Sequence, residues 1–239
     1  MASILVVLWY LLSLCLGDSS EPAVWLPRHQ ENAVVLEVPL LQQVGERANC
    51  GPSAVAMFLG AYQGQKGPAL ERLRDHIGSW SWSRFSLRRW HLPGRGAGLT
   101  TAPIVSAALD RFGAPLSFGD SARLSGATRE QAFERLRDWL GAGRPVLVLV
   151  SSGPLWDQAT IGLHWVVVTG LRDQRVVFND SADRSREQIS ISRFMEAWHI
   201  GAPLTALPSV ESYTAFVADQ ALPGRELSDA YAGLRLNHR

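Results

Sequence analysis

The run Asn49-Cys50-Gly51-Pro52-Ser53-Ala54-Val55-Ala56-Met57-Phe58-Leu59 constrains this chain more than any other. From Ala54 to Leu59 every residue is apolar, so a helix there has no face for solvent and must be buried on all sides. Pro52 suits the first helical position, where its missing N–H would go unpaired anyway. Gly60 and Gly64 offer places to stop. Cys50 therefore stands at the mouth of a buried helix, where unpaired backbone N–H groups and the positive end of the dipole converge. That setting favours thiolate over thiol and makes Cys50 a candidate nucleophile.

The 239-residue chain suits one globular domain: 46% of it is hydrophobic and 19% charged. A formal net charge of +1 argues against nucleic acid as the main partner. Residues 1–17 read as an export signal. The apolar run from Ile4 to Leu12 continues to Leu16, is short for a membrane span, and ends in Cys15-Leu16-Gly17, where a signal peptidase can cut. The expectation is an exported protein, periplasmic or secreted. The alternative is an anchor left uncut, which would be its sole link to a membrane. Cleavage would remove Cys15 and leave Cys50 as a lone thiol, unable to form an internal disulfide.

Residues 18–33 read as a linker, 34–218 as the folded domain and 219–239 as a loose tail. Within the domain, Val34–Pro39 is expected as a strand and Val44–Asn49 as a polar loop before the cysteine helix. A second helix over Pro68–Ile77 should end at Gly78. Ser79–Gly98, with Trp80, Trp82, Trp90, Arg84, Arg88 and Arg89, has no clear period. It is either a loop covering the core or a wall that meets substrate. Thr101 can cap a helix through Phe112. Thr128-Arg129-Glu130-Gln131 matches a capping box opening a helix through Leu140. Pro145–Val150 is a buried strand by composition, and Ser151–Gly162 a loop. Strands follow at His164–Thr169, Arg175–Phe178 and Ile189–Ile191, then a helix capped by Ser192, then a strand at Thr214–Val217. Helices first and strands later make an α+β chain, a helical half packed on an antiparallel sheet with a cleft between them.

A nucleophilic cysteine needs a base, and the base an orienting group. Of six histidines, His164 has a partner in reach. A hairpin centred on Arg172 pairs Val168 with Val176, Val166 with Phe178 and His164 with Asp180, and directly opposed residues share a face. A slip of one residue would bring Asn179 to that face instead. The backbone N–H of Cys50 and a side-chain amide upstream, Gln43 or Gln42, can serve a developing oxyanion. One mature cysteine and dispersed histidines give no metal-ligand spacing, so neither metal nor cofactor is expected.

Four pieces, Val38-Pro39-Leu40-Leu41-Gln42-Gln43, Asn49-Cys50-Gly51-Pro52-Ser53, His164-Trp165-Val166-Val167-Val168-Thr169-Gly170 and Asn179-Asp180-Ser181, follow in the order of one pattern. The chain resembles papain-like cysteine peptidases of the bacteriocin-processing (double-glycine leader) type and their stand-alone relatives, over roughly residues 34–200. The resemblance implies a papain-like fold and a peptide or protein substrate cleaved through a thioester. It maps the nucleophile to Cys50, the base to His164, the orienting acid to Asp180 and the oxyanion glutamine to Gln43. Ser181 stands where the family usually has proline. A transpeptidase or amidase on the same scaffold, as in phytochelatin-synthase-like enzymes, and a non-catalytic peptide-binding module are the alternatives.

Overall fold

A computed structural model of the chain describes residues 33–43, 49–84, 100–118, 124, 126–158, 162–201, 204–206 and 210–224. These belong to one unit, Glu31–Arg239. The expected export signal, most of the linker, the loop 44–48, residues 85–98 of the Trp- and Arg-rich stretch and the end of the tail lie outside the described residues.

The fold is α+β. Six strands form an antiparallel sheet: β1 (Val34–Val35), β2 (Val146–Ser151), β3 (Leu163–Arg172), β4 (Arg175–Asp180), β5 (Ser185–Ser190) and β6 (Ala215–Phe216). They run β5-β4-β3-β2-β6, with β1 pairing β3 beyond the end of β2. The helices are α1 (Cys50–Gln63), α2 (Pro68–Arg84), α3 (Ala102–Phe112), α4 (Arg129–Gly141), α5 (Ser152–Trp156) and α6 (Ile191–Trp198). Residues 54–59 of α1 are all at most 1% exposed, as an unbroken apolar run requires. The helix lies against β2 and β3 and is backed by α2 and α3. Burying six such side chains is worth about 1.5–3 kcal/mol for each large one, so the cysteine end of α1 is fixed to the most buried strands of the sheet.

Local signals placed several elements well. The capping box of α4 is formed, with Gln131 N–H donating to Thr128 Oγ1 (3.3 Å) and Thr128 N–H to Gln131 Oε1 (2.9 Å). Thr101 precedes α3, and the Gly113 N–H bonds the Leu109 carbonyl just past its end. Other expectations need correction. Helix α2 runs through Gly78 to Arg84, because Gly78 is helical and Ser81 Oγ donates to its carbonyl (2.9 Å); an interior glycine costs only about 1 kcal/mol against alanine. Helix α6 is capped by Ser190, which accepts from Arg193 N–H, and not by Ser192. The expected loop 151–162 contains α5, and β5 begins four residues before Ile189. Residues 219–222 are docked: Asp219 N–H bonds the Ser117 carbonyl and Leu222 N–H that of Gly143.

The hairpin register also differs. The turn is Asp173-Gln174, both at positive φ (48° and 59°), so Arg172 faces Arg175. A bulge at Thr169 then shifts the ladder, giving Val168 opposite Phe178 and Val167 opposite Asn179. Continued, this ladder sets Asp180 level with Val166, two residues short of His164. Two residues along a strand return to the same face, so His164 and Asp180 are diagonal rather than opposed neighbours. The bulge has a cause outside the hairpin. Leu36 N–H bonds the Thr169 carbonyl (2.7 Å), and β1 comes so close to Gly170 that a Cβ there would strike the Val34 carbonyl.

Candidate active site

Three elements meet at the site. Helix α1 brings Cys50 in its first turn, β3 brings His164 near its start, and β4 brings Asp180 at its end. His164 and Asp180 are 4% and 1% exposed, and His164 Nε2 lies 2.8 Å from Asp180 Oδ1. With Nε2 engaged, Nδ1 is the nitrogen left for the thiol, and Cys50 hydrogen-bonds to this ring. Backbone N–H groups of Trp165 and Gly51 also donate toward the sulfur. Cys50 itself is half-buried and free.

The charges follow from these contacts. Burial pushes the Cys50 thiol up, but the His164 ring and the two backbone donors outweigh it and hold the thiol below its ordinary value. Burial would likewise lower the His164 ring, yet Asp180 and Cys50 push it up to about 9. Burial alone would raise the Asp180 carboxyl. His164, the Ala182 N–H (2.7 Å to Oδ1) and the indole of Trp156 (3.2 Å to Oδ2) hold it low instead. A thiolate, an imidazolium and a carboxylate in line are the forms this environment favours between the lowered thiol value and about pH 9.

The Gly51 backbone is pressed against Thr100, with no room for a Cβ. The carbonyl of Thr100 accepts from Trp165 Nε1 at 2.7 Å. One residue thus clamps the neighbour of the cysteine to the neighbour of the histidine.

Of the two glutamines, Gln43 is half-buried and its N–H donates to the Ser181 carbonyl at 2.8 Å, one residue past Asp180. Gln42 is exposed, and its carbonyl accepts from Arg74 Nη1 at 3.1 Å. Asn179, the residue a slipped register would have used, faces away from His164 and bonds the Val38 and Pro39 carbonyls. The structure thus draws Cys50, His164 and Asp180 together and anchors Gln43 through its backbone to the strand that ends in Asp180.

Sequence reasoning missed Trp156. Its ring centroid lies 4.8 Å from that of His164, and its N–H goes to Asp180. The residue sits at the end of the five-residue α5, whose Asp157 C-cap is left-handed (φ 57°). No period could have marked so short a helix; the one available cue was an aromatic eight residues before a candidate base. Among the described residues no cluster of three or more metal-ligating side chains occurs, and no helix is long and apolar enough to cross a membrane.

Comparison with known proteins identifies the family. The Peptidase_C39 like family model matches residues 35–202, most of the chain. The chain therefore belongs to the C39-like peptidase family. A crystal structure of a candidate C39-like peptidase from Bacillus anthracis superposes with a TM-score of 0.53 at 16% identity, over 80% of this chain and 100% of that one. At that identity the likeness concerns the fold, which is papain-like. Among curated proteins nothing matches.

Proposed function

We propose that the protein is a cysteine peptidase that cleaves peptide bonds through a thioester, with Cys50 as nucleophile, His164 as proton carrier and Asp180 as the charge that holds it. The observation that carries this reading is the buried His164–Asp180 pair whose ring also bonds the thiol of Cys50.

In the first half-reaction the Cys50 thiolate attacks the peptide carbonyl carbon, and the electrons of the C=O bond move onto oxygen. That oxyanion is met by the Cys50 N–H and the Gln43 side-chain amide. His164 gives its proton to the leaving amine, the C–N bond breaks, and an acyl thioester remains. Water, deprotonated by the now neutral His164, attacks the thioester. The C–S bond breaks, the thiolate beside a protonated His164 is restored, and the carboxylic acid product leaves and gives its proton to solvent. Asp180 stays ionised throughout and stabilises the imidazolium.

The test is digestion of a peptide library with the full chain and with Cys50→Ala, read by mass spectrometry. New termini in the first digest and none in the second are expected, with unchanged circular dichroism in the variant. Cleavage that persists in Cys50→Ala refutes the reading. Products ligated to an added amine in preference to water would move the enzyme from hydrolysis to transfer.

A further inference from the structure

Asn179 is fully buried and its side chain does not point at His164. Strand alternation sends it to the opposite face from Asp180. There its Nδ2 donates to the Val38 carbonyl at 3.0 Å and the Pro39 carbonyl at 3.4 Å, while its Oδ1 accepts from Arg186 Nε at 3.3 Å. A buried amide that gives its donors to a distant segment acts as a tether, because among the described residues no other donor meets those carbonyls. The segment it holds is the one that leads to Gln43. Three further bonds hold the same segment: Leu36 N–H to the Thr169 carbonyl at its start, and Gln43 N–H to the Ser181 carbonyl and Arg74 Nη1 to the Gln42 carbonyl at its end. Leu36, Val38 and Leu41 are also buried, and Glu37 pairs with Arg186 at the surface.

We propose that Asn179 is the positioning residue of the oxyanion arm. It holds residues 38–39 against β4 so that Gln43 is presented in one place, while Asp180, its neighbour in sequence, serves His164 from the other face. This rests on the reading of Gln43 and Cys50 given above. Consecutive residues of one strand then set the base on one side and the oxyanion donor on the other.

The role is separable from a merely structural one because alkylation by iodoacetamide displaces iodide at a saturated carbon and forms no oxyanion. Its rate reads the thiolate alone. The acylation burst with p-nitrophenyl acetate passes through an oxyanion and needs no particular peptide sequence. Asn179→Ala should lower the burst rate about ten- to a hundredfold, less than the 10²–10³ of deleting a donor outright, and leave the alkylation rate and its pH profile unchanged. Gln43→Ala should lower the burst at least as much. The double variant Gln43→Ala/Asn179→Ala should be no more than about threefold worse than Gln43→Ala, since one residue acts through the other. Asn179→Asp is the second variant: it has the same shape and keeps the acceptor for Arg186, but it cannot donate to Val38 and Pro39. It should show the same split between burst and alkylation even where the alanine variant fails to fold. An unchanged burst in the folded Asn179 variants, a fall in alkylation equal to the fall in burst, or fully multiplicative effects with Gln43→Ala would each overturn the inference. A burst that survives in Cys50→Ala would instead overturn the underlying reading, and this inference with it.

Discussion

Replacing Asp180 by asparagine isolates charge from geometry. The amide oxygen can still accept from His164 Nε2, so the ring keeps its orientation, but the buried negative charge is gone. In the folded protein the ring is pushed up to about 9 from an ordinary 6.5, despite its burial. A rise of that size corresponds to about 3 kcal/mol of preference for the charged ring. Asp180 is the first source of the upward push and Cys50 the second. Losing the carboxylate should therefore bring the ring down from about 9 toward its ordinary value, because burial then acts with only the thiolate against it. At about pH 7.5 a ring brought down to the ordinary value would hold its proton in about one molecule in ten, so activity should fall by up to about tenfold from protonation alone. The upper limb of the kcat/KM profile should move from about pH 9 toward the ordinary histidine range. The sign carries over to stability. The raised His164 value stabilises the fold fully below about pH 6.5, and that contribution is lost as pH rises through about 9. The lowered Asp180 value contributes fully above the ordinary carboxylate range, and that contribution is lost as pH falls from there through the lowered value. The assay is kcat/KM and iodoacetamide alkylation against pH in both proteins. An upper limb that stays near pH 9 in Asp180→Asn would refute the assignment of the charge to Asp180.

Two smaller tests address the frame of the site. Trp156→Phe keeps an aromatic ring over His164 and removes the N–H that reaches Asp180 Oδ2. A charge-assisted bond of this kind is worth about 1.5–3 kcal/mol, so the lower limb of the pH profile should move up and kcat should fall by about an order of magnitude; an unchanged profile would show that the indole only fills space. Gly170→Ala places a Cβ against the Val34 carbonyl. It should cost about 1–3 kcal/mol in urea unfolding, in the range of overpacked cores, with β1 detached from β3.

The sequence disclosed what is written locally. Ala54–Leu59 declares a buried helix by having no polar face, and Thr128 with Gln131 declares a helix start because both halves of that cap lie within one turn. The hairpin was legible as a hairpin and its register was not. Asp173-Gln174 carries no glycine to mark a turn at positive φ, and the bulge at Thr169 is imposed by Leu36 and by β1 against Gly170, residues far away in sequence. His164 and Asp180 still met, because both the expected pairing and the observed diagonal keep them an even number of residues apart on one face. Strand β5 is barely legible in the sequence, since its residues from Ser185 to Ser190 alternate between half-buried and exposed without an apolar face. Trp156 and Thr100 act through contacts that only the closed chain creates.

The clamp at Thr100 bears on when the thiol becomes reactive. His164 and Asp180 belong to one hairpin with a two-residue turn, a unit that closes in about 1–10 μs when isolated. Cys50 reaches them only when α1 has docked on β3 and Thr100 has been seated between Gly51 and Trp165. Until then the sulfur lacks its imidazole and its two backbone donors and titrates as an ordinary thiol, about 8.5. Nascent and denatured chains therefore carry a sluggish cysteine, little inclined to form mixed disulfides or to be oxidised at neutral pH. Nucleophilicity is thus a property of the finished molecule rather than of the residue.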